Sequence, residues 1–194
     1  MMPAKKTLRH VAWFVLALPI LWLGPRMVPA DEDPPAGGKY IGSAKCENCH
    51  DSAAKGKQYS RWKEEKHSKA YEVLASDEAK RIGREKGIDD PQTSDACLKC
   101  HVTGHGASAK SKAKSFDPTE GVGCEACHGS GQNHMKARLL EEGGDDLVEI
   151  PDDEIVKDPG EEACVRCHNS DSPTFKPFDF AARVKDVSHP DPRK

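Results

Sequence analysis

The stretch YIGSAKCENCH, Tyr40 to His50, ends in two cysteines, Cys46 and Cys49, separated by two residues and followed at once by His50. The same pattern returns three times, as CLKCH (Cys97, Cys100, His101), CEACH (Cys124, Cys127, His128) and CVRCH (Cys164, Cys167, His168), and no cysteine lies outside it. Two thiols at this spacing lie along one edge of a porphyrin and can add to its vinyl groups, while the imidazole directly after the second thiol binds iron from below. The pattern is the attachment signature of c-type haem. A zinc site would pair two motifs into four thiolates, and a dithiol redox centre would use each cysteine pair alone. Neither explains a histidine in fifth place four times. Four covalently bound haem c groups are therefore the expected cofactors, with His50, His101, His128 and His168 as iron ligands.

Residues 1–30 read as a signal peptide. Lys5, Lys6 and Arg9 precede an apolar run from Val11 to Gly24, and the segment closes on Val28, Pro29 and Ala30. The run is short of the ~20 residues that span a bilayer and contains Pro19. The expectation is cleavage before Asp31, no transmembrane anchor afterwards, and an exported, periplasmic or extracytoplasmic protein in which residues 31–194 form one tetrahaem domain. Covalent haem attachment outside the cytoplasm agrees with export.

Removing residues 1–30 takes four of the 29 basic side chains and none of the 32 acidic ones, leaving a formal charge of −7. That balance argues against nucleic acid as a partner. The chain is 36% apolar overall, with much of that in the signal, so side chains alone cannot fill an interior. A compact chain of the mature length has a radius of gyration of ~15 Å, which forces four macrocycles close together. The expected fold is mainly α with long loops, a compact multihaem cytochrome c wrapped around four closely packed haems.

Helices are expected over Tyr59–Ala75 and Asp77–Lys86, with Gly87 as a stop. His67, Tyr71 and Leu74 recur at i, i+4 and i+7, which places His67 on the apolar face. The basic tract from Lys110 and the glycine-rich segment around the third motif read as loop. The acidic stretch Glu141–Glu154 reads as a solvated surface excursion, or alternatively a docking patch for a basic partner. Pro159 and the acids after it favour a helix start. In the tail, Phe175, Phe178 and Phe180 have two equal readings, packing on haem faces and ordinary tail packing.

Outside the motifs and the signal lie four more histidines, His67, His105, His134 and His189, and a single methionine, Met135. Bis-histidine iron is favoured over histidine–methionine iron. Chain reach decides part of the pairing. His105 follows His101 by four residues, a segment that spans at most ~14 Å, too short to pass the rim of a haem and approach its other face. The same argument turns His134 away from the third haem. His67 and His189 stay open on spacing alone.

YIGSAKCENCH, SRWKEEKHSKA, CLKCHVTGHG, GVGCEACHGSGQNH and the tail through SHP together resemble the tetrahaem cytochrome c-554 family, multihaem cytochromes related to the electron acceptor of hydroxylamine oxidoreductase. The likeness runs from Tyr40 to His189. It implies that His67 closes the haem of His168, His134 that of His50, and His189 that of His128. It also implies a second haem with no sixth protein ligand, and a bulky aromatic where this chain has His105. The expected function is electron transfer between redox partner proteins whose identity the sequence does not name. Two alternatives stand beside it: a haem enzyme acting on a small nitrogen compound at an open second haem, and a subunit of a cytochrome filament. His105 itself reads as a polar loop residue, a ligand to another haem, or a proton donor.

Overall fold

The computed structural model of the chain describes residues 38–140, 151 and 154–193. The segment expected to be a signal peptide, residues 1–30, lies outside these residues, as does most of the acidic stretch. Among the described residues there are eight α-helices joined by 3-10 turns and long loops, no strand, and one isolated bridge between Tyr40 and Lys112. No described helix is long and apolar enough to cross a membrane.

Four of the helices carry the motifs: α1 (Glu47–His50), α4 (Asp95–His101), α5 (Cys124–His128) and α7 (Glu161–Val165), with α2 (Gln58–Glu64), α3 (Asp77–Glu85), α6 (Gln132–Leu140) and α8 (Phe180–Val187) between and after them. One helical turn is what the attachment chemistry requires. It sets the two thiols at i and i+3 and the imidazole at i+4 on one face, and the His50 and His168 N–H groups close that turn on the Cys46 and Cys164 carbonyls at 2.9 Å. Acidic residues open these turns, Glu47, Asp95, Glu125 and the pair Glu161 and Glu162, where they meet the positive end of the helix dipole. Helices this short have no stability of their own. Their order comes from what they pack against.

The helix expected over Asp77–Lys86 is α3, capped by the Ser76 hydroxyl, which accepts from the Ala79 N–H at 3.2 Å, and followed by Gly87 at φ 70°. The single helix expected over Tyr59–Ala75 is instead broken into α2 and two 3-10 turns, His67–Lys69 and Glu72–Ala75. Glu65 leaves the helix with extended backbone, and the Ser68 hydroxyl donates to the carbonyls of Lys63 and Glu65, offering the chain an alternative to the helical ladder. The break frees the His67 carbonyl to accept from the Val122 N–H at 3.0 Å, while the Trp62 indole donates to the Val122 carbonyl at 2.9 Å. Trp62 and His67 thus clip the loop ahead of the third motif from both sides. Gly121, at φ 77°, runs so close to the His67 turn that a Cβ there would stand 2.8 Å from the His67 oxygen.

Among the described residues the buried apolar side chains include Ile41, Trp62, Leu74, Val102 and Pro91. The most connected buried group is a carboxylate. Glu125, 4% exposed, accepts from the N–H groups of Ile41 at 2.9 Å, Gly42 at 2.8 Å and Gly131 at 2.7 Å, tying the start of the domain to the third motif and to the turn that leads into α6. Burial pushes its pKa up and the three backbone donors pull it back. Glu125→Ala strands those donors, and the expected result is a loss of about 3–5 kcal/mol of stability, read as a lower denaturant midpoint of the haem-loaded protein; an unchanged midpoint would remove Glu125 from this role.

Candidate functional site

All four CxxCH motifs, together with His67, His105, His134 and His189, line one cavity of about 3080 Å³. A single small-molecule or cofactor site holds ~300–1,000 Å³, so this space suits several large groups. The motifs approach one another in an order that is not the order of the sequence. The Cys124 N–H donates to the Ser43 hydroxyl at 3.2 Å and Cys46 lies beside Cys124, which joins the first motif to the third. Cys127 lies near Cys164, and the Arg166 guanidinium donates to the Ala126 carbonyl at 2.8 Å, which joins third to fourth. Cys167 interacts with Cys100, and Lys99 pairs with Asp171 at 2.8 Å, which joins fourth to second. The spatial order is first, third, fourth, second.

Three pairs of histidine rings face one another across this space. The centroids of His50 and His134 stand 6.1 Å apart, those of His67 and His168 6.1 Å, and those of His128 and His189 5.9 Å. Two metal–nitrogen bonds of about 2 Å each, plus about 1 Å from each ring nitrogen to its centroid, give about 6 Å for two imidazoles sharing one iron. The polar contacts agree. The Nδ1 atoms of His101, His128 and His189 lie 2.6, 2.6 and 2.8 Å from the carbonyls of Ala70, Val156 and Val187. A carbonyl only accepts, so each Nδ1 carries the proton and Nε2 keeps the lone pair that a metal needs. Burial favours the neutral form at three of these imidazoles: it lowers the pKa of His50 to about 4, with His134 adding to the effect, and lowers those of His67 and His128.

The second motif is different. Among the described residues no histidine ring stacks opposite His101. His105 points its Nε2 at Asp95 Oδ1, 3.1 Å away. Of the three tail phenylalanines, Phe178 stacks on the His168 ring at 4.7 Å and 19°, while Phe175 is exposed. Glu154, read from sequence as the end of a solvated excursion, is instead half-buried against His134 and Arg138. No signal in the sequence separates it from the acids before it, because its partners His134 and Arg138 lie on α6 and are met only in the folded chain.

A profile of the family described as "Cytochrome c554 and c-prime" matches residues 45–129. Cytochrome c-554 of Nitrosomonas europaea is 33% identical over 147 residues, covering 69% of this chain and 59% of the relative. The chain belongs to the cytochrome c-554 family. The match spans less than two thirds of that relative's length. The solved reduced-state structure of cytochrome c554 from Nitrosomonas europaea is 29% identical, covers 77% of this chain and 78% of that one, and superposes with a TM-score of 0.46. Membership in the cytochrome c-554 family implies covalently bound haem c, and the residues fit it. The eight thiols are free of disulfides, and each motif turn presents two of them with a histidine to the common cavity.

Proposed function

We propose that the chain is an exported tetrahaem electron-transfer protein, in which Cys46 and Cys49, Cys97 and Cys100, Cys124 and Cys127, and Cys164 and Cys167 each fix one haem c. Bound haem supplies one-electron redox chemistry, and the protein supplies placement and axial ligation. His50, His101, His128 and His168 serve as proximal ligands. His134, His67 and His189 close the irons of the first, fourth and third motifs. The observation that carries this reading is the set of three cross-chain imidazole pairs at the spacing of a shared iron. The motif contacts set the relay order as first, third, fourth, second, so the first and second motifs stand at its two ends and are the places for a donor and an acceptor protein to dock. Cleavage before Asp31 and a periplasmic or extracytoplasmic location complete the proposal.

The solitary position of His101 favours one further reading, in which the second iron binds a small exogenous ligand such as a nitrogen compound. Mass spectrometry of the protein isolated from an exporting host tests the main reading. The expected mass is that of residues 31–194 plus four haems; fewer than four, or bound zinc, would overturn it.

A further inference from the structure

The histidines that meet in the cavity are not all held alike. His101, His128 and His189 donate from Nδ1 to backbone carbonyls. His134 instead donates to a carboxylate, Glu154 Oε1, at 2.7 Å, and the other oxygen of Glu154 accepts from Arg138 Nη2 at 3.1 Å. The three side chains are 14%, 11% and 22% exposed. His134 and Arg138 are four residues apart on α6 and therefore share a face, and the carboxylate bridges them. Two residues later Val156 donates its N–H to the His128 carbonyl at 3.0 Å and accepts from His128 Nδ1. One short strap, residues 154–156, thus touches an imidazole assigned to the first motif's iron with a carboxylate and one assigned to the third motif's iron with a carbonyl.

We propose that Glu154 is a positioning residue that holds His134 with Nε2 toward the first motif and lowers the reduction potential of the haem carried by Cys46 and Cys49. This rests on the tetrahaem reading above. A carboxylate draws the Nδ1 proton more strongly than a carbonyl does, which makes Nε2 a stronger donor and favours the oxidised metal. Arg138 works against it, because its cation offsets part of the carboxylate charge at short range in a partly buried setting.

The test is a redox titration of the haem-loaded full chain, followed by absorbance and paramagnetic resonance. Glu154→Gln keeps an accepting oxygen and removes the charge, so one of the haem potentials should rise while the others hold. Arg138→Gln removes the opposing cation, so the same potential should fall. Local misfolding would move both variants in one direction. Potentials unaltered by Glu154→Gln, or both variants shifting the same way, would overturn the role. His134→Ala separates this from the underlying reading. If that variant adds a high-spin iron while Glu154→Gln changes nothing, only the Glu154 role falls; if it leaves every iron as before, the ligand assignment fails and takes the role with it.

Discussion

Produced without haem-attachment machinery, the chain is expected to show the circular dichroism of a largely unstructured polypeptide. The reason is visible in what the fold buries. Ile41, Trp62, Leu74, Val102 and Pro91 make up most of the large apolar side chains buried among the described residues, while a cavity of about 3080 Å³ is lined by all four motifs. So few buried apolar groups cannot offset the conformational entropy of ordering a domain of this length. The motif helices are one or two turns long and too short to persist alone. Covalently attached macrocycles would supply apolar surface at the centre and tie each pair of thiols together. The measurement is far-ultraviolet circular dichroism, with a urea titration, of the haem-free and haem-loaded chains. A cooperative transition in the haem-free chain would mean that side chains suffice and that the haem-centred account of this fold is wrong.

The oxidised protein should contain one high-spin iron in four, and His134→Ala should add a second. His101 meets the Ala70 carbonyl on one side and no facing imidazole among the described residues, whereas His50, His128 and His168 each face a partner ring. A four-residue segment spans at most ~14 Å, so His105 cannot pass around its own haem, and it is turned toward Asp95. His105→Phe should therefore leave the paramagnetic resonance spectrum nearly unchanged. Slow or absent carbon monoxide binding to the reduced protein would indicate a crowded second site, and ready binding would favour a ligand-binding role for it. Four low-spin irons in the unmodified protein, with one turning high-spin in His105→Phe, would refute the open second site and bring His105 in as a ligand.

The motifs were fully legible because their chemistry is local: thiol, thiol and imidazole have to share one helical turn. The pairing of distant histidines was not legible from spacing. Reach removed His105 and redirected His134, but it left His67 and His189 undecided, and the family resemblance supplied what geometry later placed together. The sequence also overstated the helix after Tyr59. Periodicity placed His67, Tyr71 and Leu74 on one face, yet the Ser68 hydroxyl and the Val122 N–H take the backbone out of the ladder between them. Glu125 and Glu154 were the least visible residues. A glutamate between two cysteines of a glycine-rich loop, or at the end of an acidic stretch, looks solvated until tertiary structure brings three N–H groups to the first and an imidazole and a guanidinium to the second.

The three imidazole pairs each join positions far apart along the chain, His50 to His134, His67 to His168 and His128 to His189, and the three loops they close overlap. The domain is consequently indivisible. A cut anywhere between His67 and His128 sends two of the pairs to different fragments, so neither fragment retains every facing ring for the motifs it carries. Contacts of this sequence separation also make for slow assembly. On the proposed function, an exported chain would present its first motif for attachment while His134 is still to come, and Cys46 and Cys49 would hold their haem by covalent bonds alone until the second half of the chain arrives.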